Sequence, residues 1–299
     1  GNRKVRFMIY TLCLSPAIDY NMYIDNVKLD AINKSKSESF HAGGKAINVS
    51  LILKELGIES TCLGFLGGFT GKFIKEYLDK ENIRNDFVWI NQDTRINVKI
   101  KTDSGETAID GTGPLINKKE EQELLDKFNG LCKGDILVLS GNTCSGVGET
   151  IYERILDRLN KDVVVIVDSV RYLLMSTLKY HPLFIKPNID ELEEVLNTRI
   201  DSDSKLLECA KLMQNKGARN VIVSLGDKGA FILEEDGNSS FIEMPKTNKT
   251  VINTIGCGDS VVAGTIYGYL KKMGIKGALE YGVACGTACA YQEHFAKKE

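Results

Sequence analysis

Hydrophobic residues along this chain fall into two kinds of pattern. Short, nearly continuous apolar runs occur at "VRFMIYTL", "STCLGFLG", "DILVLSG", "VVVIVDS", "LFIKPN" and "NVIVSLG". Between them lie stretches with a helical spacing of apolar positions: "AINVSLILKELG", "GKFIKEYLDKEN", "GETIYERILDRLNK", "DELEEVLN" and "DSKLLECAKLMQNKG". This alternation predicts βαβ units and an α/β fold, with a mostly parallel sheet and helices on both of its faces. Two stretches break the rhythm, at about residues 21–42 and 87–110, where patterns such as "NVKIKTDSGETAI" alternate with period two and no helix intervenes. They predict antiparallel strands set apart from the main sheet, forming a small β-sheet lid inserted in the α/β core.

Composition narrows the class of partner. The chain has 299 residues, 43% hydrophobic and 26% charged, enough to bury a sizeable core. A formal net charge of −2 and the lack of a long basic run argue against nucleic acid as a partner. The longest strongly apolar run, "VVVIV" at Val163 to Val167, is too short to cross a bilayer, and the opening "GNRKVRFMIYTLCLS" has no signal-peptide pattern. The expected address is the cytoplasm, with no membrane partner. Eight cysteines without a CxxC pair suggest buried thiols rather than a disulfide framework or a zinc site. The three histidines, His41, His181 and His294, lack metal-ligand spacing. A small molecule is the expected partner.

The glycine-rich loops carry the candidate chemistry, because ligands of open α/β sheets bind where strand ends lead into helix N-termini. "GGFTGK" at Gly67 to Lys72 fails the P-loop rule: its glycines are too close and Phe73 follows the lysine. Gly256 and Gly258 do not open a GxGxxG fingerprint, since Asp259, Ser260 and Val261 follow. "GCGD" is the better candidate: consecutive backbone N–H groups and the start of a helix can together hold an anion. Asp259 there either caps the helix or acts as a base beside the anion hole, a pairing that suits phosphoryl transfer. In "HAGGKAINVS", Gly43 and Gly44 allow close approach of a ligand, and Lys45 and Asn48 offer a charge and an amide; a plain helix entry with a solvated lysine is the other reading. Asp19 in "SPAID" could take sugar hydroxyls or stabilise a turn.

In their order along the chain, "SPAID", "HAGGKAINVS", "GFLGGFTGKF", "TRINVKIK", "KPNIDE", "VSLGDKGA" and "TIGCGDSVVAG" resemble the PfkB (ribokinase-like) family of carbohydrate kinases, over almost the whole length. The resemblance implies one ribokinase-like domain over residues 1–299. Its fold would be a three-layer αβα sandwich with a mostly parallel central sheet, and a lid formed by segments about 15–42 and 87–112. It implies ATP as phosphate donor, Mg2+ as cofactor, a ketohexose phosphate as acceptor and a homodimer formed through the lid.

Residue by residue, the resemblance implies that Asp259 is the catalytic base and that Gly256, Cys257 and Gly258 supply the anion hole. Asn188 and Glu191 match the NxxE motif associated with Mg2+ and its waters. Lys186, Asn188, Ser224 and Gly226 fall on the nucleotide side. Asp19, Lys34, Gly44, Lys45, Asn48 and Arg95 fall on the substrate side. Lys34, Lys45 and Arg95 are expected to converge on the lid side of the cleft, with Arg95 as a bidentate contact for a phosphate already on the sugar. Through "TRINVKIK" the resemblance implies fructose 1-phosphate as acceptor, phosphorylated at its 6-hydroxyl; kinases of tagatose 6-phosphate or fructose 6-phosphate are the alternatives in the family. A sugar-phosphate sensor without catalysis is the reading from another class, and it would have no need of Asp259, Asn188 or Glu191. Three departures from the family pattern stand out: Cys257 where alanine is common, Ser15 for a frequent asparagine, and Ala46 for a frequent glycine. Oxidation or alkylation of Cys257 is expected to obstruct phosphate. The chain stops at "HFAKKE", where relatives often continue with another helix.

Overall fold

The structure is a computed structural model that describes residues 7–249 and 256–291. Val5 and Arg6 of the first expected strand, residues 253–255 before the "GCGD" turn, and His294 lie outside the described residues. Strands β1 (Ile9–Cys13), β2 (Ala17–Tyr23) and β3 (Ser37–Gly43) lead into helix α1 (Lys45–Glu55). Next come β4 (Thr61–Gly67), α2 (Gly68–Lys80), β5 (Arg84–Asn85), β6 (Val88–Ile90), β7 (Arg95–Thr102) and β8 (Gly105–Asp110). Then follow α3 (Lys118–Lys127), β9 (Ile136–Ser140), α4 (Ile151–Leu156), β10 (Val164–Asp168), α5 (Arg171–Met175), β11 (Phe184–Ile185), α6 (Ile189–Leu196), α7 (Asp203–Asn215) and β12 (Asn220–Ser224). Strands β13 (Ala230–Leu233) and β14 (Ser239–Ile242) precede helices α8 (Cys257–Leu270) and α9 (Gly274–Ala290).

The large sheet has the order β14-β13-β12-β11-β10-β9-β1-β4-β5, with β6 beside the end of β4. Pairings from β12 to β5 are parallel, while β13 and β14 add an antiparallel edge. Both faces are covered, which is why the strands read as unbroken apolar runs. In β9, Ile136 and Val138 pack towards α1, α8 and α9, whereas Leu137 and Leu139 pack towards α3, α4, α6 and α7. Two expected elements come out shorter. β11 is confined between Pro182 and Pro187, neither of which has an N–H to give to a ladder. The helix expected across "GETIYERILDRLNK" is regular only over α4, and Asn160 accepts from the Asp162 N–H in a turn that redirects the chain into β10.

A separate four-stranded sheet has the order β3-β2-β7-β8. It corrects the expected pairing: β2–β3 and β7–β8 are antiparallel, but the central pair β2–β7 is parallel. Its two hairpin-like halves are joined through α1, β4 and α2, the kind of long crossover that a parallel pair requires. Residues 87–94 do not belong to it, because Val88 and Ile90 of β6 are buried in the core beside β4.

Period two gives this small sheet two chemically different faces. Register places Ile18, Tyr20, Phe40, Ile96, Val98 and Ile109 on one face, and Asp19, His41, Arg95, Asn97 and Lys99 on the other. The apolar face is closed at one end, where Ile18 and Ala42 pack with residues of α2. It is open at Phe40 and Ile109, which are 50% and 59% exposed.

Candidate active site

Helix α8 begins after Gly256, whose φ of 76° lies in the left-handed region that a side chain disfavours. The turn leaves Asp259 in the first helical turn, buried, and its carboxylate does not cap the helix. It accepts instead from Lys45 Nζ at 3.0 Å and from Asn48 Nδ2 at 2.9 Å, both on α1. One side chain therefore holds each carboxylate oxygen, fixing the plane of the group and leaving further lone pairs for a ligand.

Lys45 also lies 3.1 Å from Asp168 Oδ2, at the carboxyl end of β10. Asp168 Oδ1 in turn lies 3.6 Å from Lys186 Nζ, just beyond β11. A Cβ placed on Gly258 would stand 3.4 Å from that same Nζ, so the chain of alternating charges ends at the start of α8. Lys186 is 6% exposed, so its charge is buried at the strand end rather than solvated. Burial pushes the Asp168 carboxyl up, but the Lys186 and Lys45 ammoniums outweigh it and hold the group below the usual carboxylate range. Burial also disfavours the Lys45 ammonium, yet Asp168 and Asp259 raise it above the ordinary lysine value.

The polar face of the small sheet supplies the opposite wall. A Cβ on Gly43 would collide with the Asp19 carboxylate, so only glycine lets β3 pass so close, two residues before Lys45. Asn97 Nδ2 donates to Asp19 Oδ1 at 3.3 Å, and Lys99 Nζ stands 3.9 Å from Asp19 Oδ2. Burial raises the Asp19 carboxyl despite Lys99, Asn97, Arg95 and His41, each of which pulls it down. Arg95 is less available than expected: its Nε and Nη2 both donate to the Ser15 carbonyl, at 3.2 and 2.9 Å, and Nη1 reaches Asn97 Oδ1 at 3.4 Å. The fork that would grip a phosphate holds the β1–β2 connection. Of the three cations expected to converge, Lys45 and Arg95 are each engaged by groups of the protein itself. Lys45 pairs with Asp259, Lys34 is exposed on the β2–β3 connection, and Gly44 links the two walls.

On the nucleotide side, Asn188 caps α6, its Oδ1 accepting from the Glu191 N–H at 2.8 Å. Asn188 also pairs with Ser224 in an isolated parallel bridge, which sets the NxxE turn beside the end of β12. Gly226 has φ of 61° and open space where a side chain would be, leaving room for close approach. Burial and the nearby Asp168 charge push the Glu191 carboxyl up, against Lys186 and Lys45, so the group gains from an added cation. Among the described residues there is no cluster of three or more His, Cys, Asp or Glu able to cage a metal. A single crowded carboxylate with an amide fits Mg2+ held largely by phosphate oxygens and water. Cys257, half-buried at the start of α8, hydrogen-bonds through its thiol with that of Cys289 on α9. That bond and burial push the Cys257 thiol well up.

Residues 8–296 match the family model described as pfkB family carbohydrate kinase. The chain belongs to the pfkB family of carbohydrate kinases. A 1-phosphofructokinase of Borreliella burgdorferi is 39% identical over 283 residues, covering 95% of this chain and 92% of the relative. A D-tagatose-1-phosphate kinase of Bacillus licheniformis is 32% identical, covering 96% and 93%. The crystal structure of phosphofructokinase-2 from Escherichia coli in complex with substrates and products superposes with a TM-score of 0.89 at 26% identity, covering 95% of this chain and 93% of that one. Relatives of this carbohydrate kinase therefore include sugar-phosphate kinases, and its large, mostly parallel sheet with a separate small sheet agrees with the ribokinase-like expectation. Among the described residues, no helix of the kinase is long and apolar enough to cross a membrane.

Three residues of the site were not anticipated. Asp168 ends the run "VVVIVDS", and a carboxylate at the carboxyl end of a parallel strand was a legible signal. Asn97 and Lys99 follow Arg95 at period two within "TRINVKIK", which places all three on one face.

Proposed function

We propose that this protein transfers the γ-phosphate of ATP to the 6-hydroxyl of D-fructose 1-phosphate, giving fructose 1,6-bisphosphate and ADP. The observation that carries the reading is a buried carboxylate, Asp259, held by Lys45 and Asn48 in the first turn of a helix whose Gly258 lies beside the Lys186 ammonium. Asp259 would accept the proton of the acceptor hydroxyl as its oxygen attacks phosphorus in line. The amides of Gly256, Cys257 and Gly258, with the ammoniums of Lys186 and Lys45, would stabilise charge on the transferring phosphoryl group. Asp168 holds the two ammoniums in place. When bound, Mg2+ would offset charge on the nucleotide phosphates, held by Glu191 and Asn188 through water. Ser224 and Gly226 would border the nucleotide, and Asp19 with Gly44 would hold sugar hydroxyls. The small sheet would act as the lid, excluding water from the reacting groups.

Tagatose 1-phosphate is the second reading, favoured by the relative that acts on it and by chemistry, since tagatose differs from fructose only in configuration at C4. The deciding experiment measures ADP release by the purified protein with MgATP and, in parallel, fructose 1-phosphate, tagatose 1-phosphate, fructose 6-phosphate, tagatose 6-phosphate and fructose. The largest kcat/KM is expected with fructose 1-phosphate. A preference for either 6-phosphate would reverse the orientation of the sugar, and no turnover with any acceptor would leave the sensor reading.

The open apolar face of the small sheet supports a homodimer through the lid. Phe40, Ile96 and Ile109 lie on this face, and a second copy would bury them. Ile109→Glu is expected to shift the sedimentation coefficient from dimer to monomer. A wild-type protein that sediments as a monomer at micromolar concentration would refute the inference.

A further inference from the structure

Lys99 is the cation of the sugar-side wall whose hydrogen-bonding capacity is unspent. Its side chain is 15% exposed and stands 3.9 Å from Asp19 Oδ2, beyond hydrogen-bond reach. Among the described residues, no acceptor lies within hydrogen-bonding distance of Nζ, although an ammonium offers three donors. The neighbouring cations are occupied or solvated. Arg95 is bonded to Ser15 and Asn97, Lys45 is bonded to Asp259 and ion-paired with Asp168, and Lys101 lies two residues further along the strand with its side chain 41% exposed.

We propose that Lys99 binds the phosphate already carried by the acceptor sugar and so sets the preference for phosphorylated over unphosphorylated ketoses. The proposal rests on the kinase reading above. In the register of the small sheet, Lys99 follows Asn97 on the face that also carries Asp19 and Arg95. A sugar whose hydroxyls bond Asp19 therefore brings its substituents within the sweep of the Lys99 side chain. A phosphate monoester dianion presents three acceptor oxygens, enough to satisfy the donors that Asp19 leaves unmet. A neutral ketose would occupy Asp19 and leave the ammonium half-buried without an acceptor. Sites that leave polar groups unpaired in this way discriminate strongly against the analogue that lacks the partner.

The test is a comparison of wild type, Lys99→Met and Lys99→Arg, using the phosphorylated ketose that wild type turns over best and unphosphorylated fructose. In Lys99→Met the ratio of kcat/KM for the sugar phosphate to that for fructose is expected to fall about 10- to 100-fold, mainly through KM, as for loss of a charge-assisted hydrogen bond. Lys99→Arg should recover most of the ratio. If Lys99 served only to position Asp19, both acceptors would suffer alike and the ratio would stay at the wild-type value, which overturns the proposal. Should wild type prefer a 6-phosphate, the fructose 1-phosphate reading fails while the same ratio still tests Lys99. Should wild type turn over no acceptor, calorimetric titration of fructose 1-phosphate into the two proteins replaces kinetics, and equal affinity for wild type and Lys99→Met overturns the proposal.

Discussion

Asp259→Asn is expected to lower kcat by about 10²–10⁴-fold, the scale of a lost general base, while leaving ATP affinity and thermal stability close to wild type. The asparagine keeps the size of the side chain and an oxygen for Asn48 or Lys45. Lys45 retains Asp168 as a counter-charge, so the substitution leaves its ammonium paired. The start of α8 keeps its backbone amides, and Lys186 stays beside Gly258. Single-turnover kinetics with saturating MgATP would separate the chemical step from product release. A kcat within a few-fold of wild type would remove Asp259 from proton transfer, since the usual contribution of such a group is much larger. A lost affinity for ATP with an intact chemical step would instead make it part of the phosphate site.

Much of this fold could be read from local pattern, because two-sided burial writes itself into each strand. Within "DILVLSG", residues 136–139 are unbroken apolar because β9 lies mid-sheet with Ile136 and Leu137 on opposite faces. Period two around "TRINVKIK" likewise marked a sheet with one polar face. Some local signals were present but unread: Asn117 and Glu120 form a reciprocal cap that opens α3, and the "DG" at Asp236 and Gly237 turns β13 into β14. The parallel pairing of β2 with β7 was not legible, because a crossover through α1, β4 and α2 leaves no local mark. The site shows the same division. Glycine loops announced Asp259 and Lys45, but nothing in either loop says that two groups 214 residues apart make an ion pair. The diversion of Arg95 to the Ser15 carbonyl is equally tertiary, a backbone acceptor that no side-chain motif records.

Asp168 links both ammoniums of the phosphate side, so its removal is expected to cost more stability than any other single change at the site. In Asp168→Ala, Lys45 still has Asp259, but Lys186 loses its paired carboxylate while remaining buried beside a helix N-terminus. Stranding one member of a buried pair costs about 3–5 kcal/mol, and urea unfolding should show a loss of that order without a change in slope. The pH dependence carries an independent signature. The Asp168 carboxyl in the folded protein sits below its ordinary value of 3.8, so its contribution is complete above that pH and disappears as pH falls through the lower, folded value. Wild type should therefore lose this increment in strong acid, whereas Asp168→Asn should lack that part of the acid limb. A loss below about 1 kcal/mol, the range of exposed pairs, would mean that water relaxes around Lys186 and that the charge chain is not a rigid support for the phosphate site.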